Sequence, residues 1–269
     1  MTLISIIVPF FNSYATIKHT LKSISKQSFK DFECILIDDG SFDKSRSIVD
    51  EFINNDKRFK LYENPSKGVV SARNYGIKKS KGRFLTFLDS DDLWHPFFLE
   101  ESISIRKELN KKIAITHSPY YRFSFSKRKI KSHLINTPKI INSKNILKKN
   151  FLPLLTVVID REIIEEIYFE DIRPEDYNLW INLIYIKKNL SLSLKKPLGY
   201  YRISENQRSK NKIMALQRIY KLYGNLPNSN IINQNINTIN WLFFNCLQRI
   251  SNKKEINRKD FKYLNSLLN

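Results

Sequence analysis

The feature that most constrains the fold is an alternation of short apolar runs with segments of helical spacing over about the first 110 residues. The runs contain β-branched and aromatic residues without helical periodicity, which is typical of buried strands. They are Ile4–Phe10, Phe32–Ile37, Phe59–Tyr62 and Phe84–Leu88. Because strands joined by helices usually run parallel, the alternation predicts an α/β fold with a doubly wound, mostly parallel sheet and helices on both faces.

Acidic residues directly follow two of these runs. Asp38 and Asp39 come after the second run, and Asp89, Asp91 and Asp92 come after the last. Ligands of such sheets bind beyond the carboxyl ends of the strands, so these carboxylates are expected at one binding edge. Hard oxygen ligands at this density suit Mg²⁺ or Mn²⁺, which take further ligands from water and from a substrate diphosphate. A solvated acidic turn, in which Asp92 caps the following helix, is the alternative.

The chain of 269 residues is strongly basic, with 46 Lys and Arg against 26 Asp and Glu and a formal net charge of +20. Such a charge implies an anionic partner: nucleic acid, an anionic membrane surface or a phosphate-bearing substrate. A biased base composition of the genome would also enrich Lys, Asn and Ile, and this explanation stays open. Basic and aromatic residues are not interleaved in a nucleic-acid-binding motif, so no specific nucleic-acid partner is expected.

The two cysteines, Cys34 and Cys246, give neither a disulfide framework nor a zinc-binding spacing, so a reducing compartment is expected. The first residues lack the features of a signal peptide, and no run reaches the roughly 18 apolar residues of a membrane span. We therefore expect a cytoplasmic protein. Attachment by charge to the inner face of the cytoplasmic membrane is compatible with that location.

Motifs of several familiar enzyme classes are absent. The turn after the first strand is Pro9-Phe-Phe-Asn-Ser13 rather than the Gly-rich turn of a Rossmann dehydrogenase. The sequence also lacks a Gly-Lys-Ser/Thr phosphate loop, a histidine pair at helical spacing and a Gly-x-Ser-x-Gly nucleophile elbow. What remains is an acidic edge that suits a metal-bound nucleoside diphosphate.

The second half of the chain has a less regular pattern. Residues Ile113–Phe125 and Leu154–Ile159 are predicted as strands, and a helix is predicted over Glu175–Lys187 after Pro174. The segment Tyr120–Asn150 contains many lysines and arginines and no acid. A solvated hairpin and an anion-facing surface are equally compatible with it.

From about Lys210 onward the spacing is helical. An apolar cluster in this region is interpreted as core or a docking face rather than a membrane anchor. It consists of Ile239, Trp241, Leu242, Phe243 and Phe244. We expect these helices to pack on the sheet domain.

Five segments occur in the order and approximate spacing of one enzyme family. They are Ile6-Ile-Val-Pro-Phe-Phe-Asn12, Ile37-Asp-Asp-Gly-Ser41, Gly68-Val-Val-Ser-Ala-Arg-Asn-Tyr-Gly76, Phe87-Leu-Asp-Ser-Asp-Asp-Leu-Trp94 and Pro174-Glu-Asp-Tyr-Asn-Leu-Trp180. Together they resemble family 2 of the inverting glycosyltransferases, whose bacterial members include polysaccharide and lipopolysaccharide enzymes. The resemblance implies a GT-A type domain over residues 1–205, with a nucleotide-binding half at about 1–110 and an acceptor half at about 111–205. Residues 206–269 are expected to form a C-terminal helical extension.

The resemblance also assigns roles in donor binding. It implies that Pro9 and Phe10 line the nucleotide pocket and that Asp39 accepts a hydrogen bond from the base. Arg73 would lie beside the nucleoside or the diphosphate, Asp89 would reach the ribose, and Asp91 would bind the divalent ion, Mn²⁺ or Mg²⁺. Arg202 would belong to a segment, Tyr201–Ser204, that closes over the diphosphate. Asp92 is left to cap a helix expected to begin at Trp94.

Asp176 matches the catalytic base of the family. An inverting transfer needs one base, which removes the proton of the acceptor hydroxyl as that oxygen attacks the anomeric carbon. Glu175 is the neighbouring alternative. Consecutive side chains on a helix point about 100° apart, so only one of the two can face the sugar.

The resemblance implies a metal-dependent transfer of a hexosyl or N-acetylhexosaminyl group from a nucleotide sugar, expected to be a UDP-sugar. The acceptor would be a hydroxyl of a glycan or lipid-linked glycan in cell-surface polysaccharide synthesis. One alternative is a nucleotidyltransferase of the same fold, which would carry a Gly-rich, basic loop after the first strand. The other is a non-catalytic, basic lipid- or nucleic-acid-binding protein on a degenerate transferase scaffold, against which the presence of Asp39, Asp89, Asp91 and Asp176 argues.

Overall fold

The computed structural model describes residues 2–109, 113–126, 129–203, 212–227, 229–251 and 255–268. The strands within these ranges are β1 (Ile4–Phe10), β2 (Phe32–Asp38), β3 (Phe59–Glu63), β4 (Phe84–Phe87), β5 (Leu93–Trp94), β6 (Ile115–His117), β7 (Tyr120–Ser126), β8 (Lys129–Ile135), β9 (Ile140–Ile141), β10 (Val158–Asp160), β11 (Ser191–Ser193) and β12 (Gly199–Arg202). The α-helices are α1 (Ile17–Ser25), α2 (Ser45–Asn55), α3 (Val69–Lys79), α4 (Phe98–Glu108), α5 (Glu175–Trp180), α6 (Lys212–Gly224), α7 (Ile231–Ser251) and α8 (Arg258–Leu268).

The strands form two sheets. The larger has the order β3-β2-β1-β4-β10-β6-β11-β9, and its first four strands are all parallel. β10 runs antiparallel to both of its neighbours. The predicted α/β class, with a large, mostly parallel sheet and flanking helices, is confirmed. The smaller sheet has the order β5-β12-β7-β8, and its strand β5 is the next strand after β4 in the sequence.

The central strand β1 is buried along its whole length, which explains why all of its residues except Ser5 are apolar. The hydroxyl of Ser5 donates a hydrogen bond to the buried Glu33 carboxylate at 2.7 Å. Ile6 and Val8 pack in one hydrophobic cluster with α1, and Ile7 packs in a second cluster with Phe87 and Trp180. Because successive side chains of a strand point to opposite faces, the sheet separates two cores, and helices cover both of its faces.

The predicted strand Ile113–Phe125 is wrong as a single element. It consists of β6 in the large sheet and β7 in the small one. Pro119 lies between the two strands and lacks the N–H group that would continue a strand ladder. The chain therefore leaves one sheet and enters the other at this point.

Two further predicted elements begin or end differently. Leu154–Thr156 is a 3-10 turn, in which the backbone N–H of Thr156 donates to the Pro153 carbonyl, and the strand itself is β10. The predicted helix Glu175–Lys187 is α-helical only to Trp180 and continues as a π-helical turn over Ile181–Ile186. Such turns are rare and frequently accompany functional sites.

The C-terminal helices pack on the two sheets. α6 buries Ile219, Leu222 and Tyr223 in the core that contains α5, and α8 buries Leu264 and Leu267 against the small sheet. The predicted boundary at residue 205 lies outside the described residues and stays a prediction, as does the part of the Tyr201–Ser204 segment at residue 204. In the described part of the chain, no helix is both long enough and apolar enough to cross a membrane.

Candidate active site

An open cleft of about 1580 Å³ lies beyond the carboxyl ends of β1 and β4. Its walls come from these strand ends, from α3, from the start of α5 and from α6. Seven of the eight predicted site residues line it: Pro9, Phe10, Asp39, Arg73, Asp89, Asp91 and Asp176. The fold therefore brings the predicted donor-binding residues and the predicted base around one space, although they are spread over some 170 residues of sequence.

Asp39 organises the loop on one side of the cleft. Its carboxylate accepts hydrogen bonds from Asn64 Nδ2 at 2.6 Å and from the backbone N–H of Gly68 at 2.9 Å. Gly68 has a φ of 105°, a conformation that glycine adopts without strain. Asp38, by contrast, is buried and accepts from the backbone N–H of Ser41, so it supports the turn and does not line the cleft. A role for Asp39 in recognising the base stays a prediction.

Arg73 lies between the acidic loop after β4 and the predicted base. The residue is only 7% exposed, and its Nη2 donates to Asp89 Oδ1 at 2.8 Å. Its guanidinium also lies over the Phe169 ring, 5.4 Å from the centroid, and acts electrostatically on Asp176. Because Asp89 is partly exposed, the ion pair fixes this carboxylate while leaving it accessible from the cleft.

Asp91 carries a charge that the surrounding protein only partly compensates. Burial raises the pKa of Asp91 to about 6, the charge of Asp89 adds to this shift, and Arg202 opposes it. A divalent cation beside Asp91 and Asp89 would offset this repulsion, and oxygen donors are the ligands that Mn²⁺ and Mg²⁺ prefer.

The carboxylates of Asp89 and Asp91 therefore fit a divalent ion, but they would supply only part of its coordination shell. Among the residues that the structure describes, no group of three or more His, Cys, Asp or Glu side chains is arranged to hold a metal. Mg²⁺ and Mn²⁺ commonly take their remaining ligands from water and from substrate phosphates, so a partial protein shell is what such a site requires.

The prediction that Asp92 caps the next helix is wrong. Asp92 is buried, and its Oδ1 accepts a hydrogen bond from the backbone N–H of Arg202 at 2.8 Å. The strand β5 intervenes, and α4 begins at Phe98 without a side-chain cap. Asp92 thus ties the acidic loop to β12 of the small sheet.

Arg202, the eighth predicted residue, lies behind the acidic loop and is not part of the cleft lining. Its Nε donates to the Asp91 carbonyl at 2.8 Å, and its guanidinium lies over the Phe123 ring at 4.9 Å. The arginine therefore supports the backbone that carries Asp91. Its contact with a diphosphate stays a prediction.

Asp176 lies in the first turn of α5, at the edge of the cleft. Asn150 Nδ2 donates to its Oδ2 at 2.9 Å, and the backbone N–H of Tyr177 donates to its Oδ1 at 2.8 Å. Burial raises the pKa of Asp176 above its ordinary value, and the charge of Arg73 and the two hydrogen bonds oppose this shift. A fixed carboxylate with a raised pKa is suited to act as a general base.

The neighbouring acid, Glu175, has a different partner. Its Oε1 lies 3.6 Å from Arg173 Nε, whereas Asp176 has the neutral partner Asn150. Both acids line the cleft, so both alternatives from the sequence remain geometrically accessible. The difference is that Asp176 is held by two hydrogen bonds and Glu175 by one ion pair.

Sequence reasoning missed Asn150 and the contribution of α6. Asn150 is 26 residues from Asp176, in a segment that has no recognisable motif. It is brought there by anchors on both sides of it, because Trp180 Nε1 donates to the Leu152 carbonyl and Tyr177 Oη donates to the Ile146 carbonyl. Ala215 and Arg218 of α6 also line the cleft, although they lie where the family resemblance has ended.

Comparisons with known proteins identify the family of this chain. The model of the family described as "Glycosyl transferase family 2" matches residues 5–167. Among curated relatives, the Escherichia coli protein named UDP-Glc:alpha-D-GlcNAc-diphosphoundecaprenol beta-1,3-glucosyltransferase WfgD is 34% identical over 223 residues, which cover 82% of this chain and 85% of that protein. The Bacillus subtilis protein named putative teichuronic acid biosynthesis glycosyltransferase TuaG is 30% identical over 224 residues, covering 82% and 87%.

Solved structures show the same fold. S. aureus TarS (residues 1–349) in complex with UDP-GlcNAc superposes with a TM-score of 0.66 at 20% identity, covering 89% of this chain and 71% of that one. The mannosyltransferase PcManGT from Pyrobaculum calidifontis, in complex with GDP-Man and Mn²⁺, superposes with a TM-score of 0.64 at 14% identity, covering 91% and 70%. The match of the family model over more than half of the sequence, together with relatives at 30% identity or more, confirms the resemblance: the chain belongs to glycosyl transferase family 2.

Proposed function

We propose that this glycosyltransferase moves a hexosyl or N-acetylhexosaminyl group from a UDP-sugar to a hydroxyl of a lipid-diphosphate-linked glycan, in the synthesis of a cell-surface polysaccharide. The observation that carries the proposal is that Asp89, Asp91 and Asp176 line one cleft. The names of WfgD and TuaG support the donor, the acceptor class and the pathway, and the ligand of TarS supports UDP.

In the proposed reaction, Asp176 accepts the proton of the acceptor hydroxyl. The acceptor oxygen then forms a bond to the anomeric carbon from the face opposite the leaving group, and the bond between that carbon and the diphosphate oxygen breaks, which releases UDP with inversion. Asn150 and the N–H of Tyr177 hold the carboxylate, so that its remaining lone pairs can point into the cleft.

On the donor side, Arg73 holds Asp89 in place and Arg202 supports the backbone of Asp91. When bound beside Asp91 and Asp89, a divalent ion would supply positive charge against the negative charge of the departing diphosphate. Family membership argues against the nucleotidyltransferase alternative. A transfer assay distinguishes the proposed enzyme from the non-catalytic binding protein.

The test compares Asp176→Asn with the matched variant Glu175→Gln, which removes the adjacent carboxylate from the same helical turn. A panel of UDP-sugars is assayed for transfer to a synthetic lipid-diphosphate-linked acceptor, and UDP binding is measured by calorimetry. Asp176→Asn is expected to lower kcat by roughly 10²-fold or more, the usual contribution of a general base, and to retain UDP affinity.

Glu175→Gln is expected to retain most of the activity. Full activity of Asp176→Asn together with loss in Glu175→Gln would move the base to Glu175. Absence of transfer and of donor hydrolysis by the wild-type protein with every nucleotide sugar, despite UDP binding, would favour the non-catalytic alternative.

A further inference from the structure

Helix α7 exposes a row of large apolar side chains on its outer face. Ile232 is 68% exposed, Ile236 51%, Ile239 64% and Phe243 57%. Their spacing of four, three and four residues places them on one side of the helix. We call these four residues the α7 ridge. A contiguous exposed row of this kind, rather than scattered single residues, marks an interaction surface.

The opposite side of α7 is the one that packs on the protein. It contacts α6 and the turn Ile146–Lys148, and Thr238 on this side is 8% exposed. Gln234 Nε2 donates to the Tyr220 carbonyl of α6 at 2.8 Å. The helix thus already has its intramolecular partners, so the ridge is not needed to hold α7 in place.

The surroundings of the ridge are basic. The elements that pack against α7 expose Lys221 on α6 and Lys148 in the turn Ile146–Lys148, and Lys144 is exposed two residues before that turn. Lys148 Nζ lies 5.4 Å from the ring centroid of Phe244, the residue after the ridge. The sequence has no Asp or Glu between residues 206 and 254, which include α6 and α7, or between residues 109 and 159, which include the turn.

We propose that the α7 ridge docks on an anionic membrane surface. The apolar side chains would enter the boundary between headgroups and acyl chains, and the surrounding lysines would face anionic headgroups. A second copy of the chain fits this surface less well, because an isologous interface would bring two acid-free, cationic rims together. Nucleic acid would satisfy the lysines but not the apolar ridge.

The position of the ridge agrees with the acceptor proposed above. Ala215 and Arg218 of α6 line the cleft, and α7 packs on α6. Docking through α7 would therefore keep the cleft near a membrane that holds a lipid-linked acceptor. Only this link rests on the proposed function, since docking itself is measured without any sugar transfer.

The first experiment is flotation of the full-length protein with vesicles of phosphatidylethanolamine and phosphatidylglycerol, and with vesicles of phosphatidylcholine alone. Wild type is expected to float with the anionic vesicles and to remain in the soluble fraction with the zwitterionic ones. The test variant is Ile236→Gln/Ile239→Gln/Phe243→Gln. The matched control, Phe97→Gln/Leu109→Gln/Leu190→Gln, removes three similarly exposed apolar side chains outside α6 and α7.

The ridge variant is expected to lose most vesicle binding, whereas the control binds like wild type. Circular dichroism and UDP binding verify that both are folded. Lys144→Gln/Lys148→Gln/Lys221→Gln is expected to weaken binding by roughly fivefold per lysine at low salt. Unchanged binding of the ridge variant would overturn the proposal, as would a wild-type dimer in light scattering that the ridge substitutions dissociate while vesicles are not bound.

A second measurement uses the wild-type sequence and so does not depend on the folding of a variant. Cys246 is exposed three residues after Phe243, and Cys34 is buried, so a polarity-sensitive fluorophore can be attached to Cys246 selectively. Emission is expected to shift to shorter wavelength on addition of anionic vesicles and to be quenched by lipids brominated in the acyl chain. Emission that is indifferent to vesicles, or vesicle binding without quenching, would place the contact elsewhere.

Discussion

At the scale of single residues, the site depends on how each charged group is held. Asp89 is fixed by a buried arginine, Asp92 accepts a hydrogen bond from a backbone N–H, and Asp91 lines the cleft. Three neighbouring acids thus have three roles, and Asp91 offers to a ligand a charge that Arg202 compensates only in part. Asp176 is held by neutral donors, which orient the carboxylate without neutralising it.

The bond from Asn150 to Asp176 leads to a prediction about the pH dependence of transfer. A hydrogen bond to the charged form of a carboxylate stabilises that form, so its removal in Asn150→Ala raises the pKa of Asp176 further. Transfer requires the deprotonated base and falls as the pH falls through that pKa. The acidic limb of kcat/KM should therefore move to higher pH. At pH values below this limb the rate should be roughly 10- to 100-fold lower than in wild type, since such bonds contribute about 1.5–3 kcal/mol.

The variant Asn150→Asp sharpens this test. It retains the oxygen that accepts from the N–H of Leu152 and replaces only the donor, so it should shift the limb further than Asn150→Ala by like-charge repulsion. The control is Asn178→Ala in α5, the helix that carries Asp176. The side chain of Asn178 donates to Glu170 and not to Asp176. A pH profile that is the same in wild type and in both Asn150 variants would mean that Asn150 has a structural role only.

A buried histidine predicts a loss of stability in mild acid. His117 Nε2 donates to the Pro138 carbonyl at 2.9 Å, and in the neutral ring Nδ1 accepts from the Ser191 hydroxyl at 2.7 Å. Burial lowers the pKa of His117 from 6.5 to about 4. Above pH 6.5 the imidazole of His117 is mostly neutral in both the native and the unfolded state. Between pH 6.5 and pH 4 the unfolded chain binds a proton at this imidazole and the native state does not, which lowers the free energy of unfolding by up to about 3 kcal/mol.

Urea unfolding at pH 7.5 and 5.0 measures this effect. His117→Gln removes the titrating group, so its free energy of unfolding should decrease less between the two pH values than that of wild type, even if it is lower at pH 7.5. The other titrating groups contribute equally to both proteins. An identical decrease in wild type and variant would exclude His117 as the source.

At the scale of secondary-structure elements, the C-terminal helices brace the segments that carry the site. α6 places Tyr223 beside Tyr177, the residue after Asp176, and α8 packs on β5, which follows the acidic loop. Tyr263 Oη of α8 also donates to the Trp94 carbonyl at 3.2 Å. The helices are therefore linked to the sheets on both sides of the cleft.

This packing predicts the cost of truncating a side chain on α8. Leu267 is fully buried, so Leu267→Ala should lower the free energy of unfolding by about 2–5 kcal/mol, through lost burial and the cavity left behind. Phe261→Ala on the same helix removes a larger side chain that is 39% exposed, and it should cost less. Equal effects of the two substitutions in urea unfolding would mean that α8 does not dock as described.

At the scale of the whole molecule, the cleft joins the carboxyl end of the parallel sheet to a wall built from irregular segments and α6, where we propose that the acceptor binds. A ligand that binds there contacts elements from both halves of the chain. Its binding free energy is added to the stability of the native state, because the unfolded chain does not present this arrangement.

UDP with Mn²⁺ should therefore raise the melting temperature, by an amount equivalent to about 2.7 kcal/mol at a ligand concentration 100 times Kd. Removal of the metal with EDTA should abolish most of the increase, and Asp91→Asn should reproduce that loss with Mn²⁺ present. Asp171→Asn, which alters another acid of the cleft lining, is the matched control and should respond like wild type. A UDP response that EDTA and Asp91→Asn both leave unchanged would contradict the assignment of Asp91 to the metal.

Much of the half predicted to bind the nucleotide, at about residues 1–110, could be predicted from the sequence. A parallel strand that is buried on both faces is mostly apolar, and the polar residues that follow it lie at the sheet edge. The strands β1, β2 and β4 and the acids after β2 and β4 are therefore visible as local patterns. The helical faces of α1 and α2 follow from spacing in the same way. These features can be recognised locally because the burial of a strand or of one helix face leaves its pattern within one continuous segment.

The rest was decided by tertiary structure, because it depends on contacts between distant segments. Asn150 reaches Asp176 across 26 residues, and Asp92 accepts from Arg202 across 110, so neither partner has a signature in its own segment. The division of Ile113–Phe125 between two sheets depends likewise on which strands are available to pair. The sequence alone determined the parallel sheet and its acidic edge, whereas only the packing of the chain decided which acid faces the cleft, which holds a neighbouring strand, and which side of α7 remains exposed.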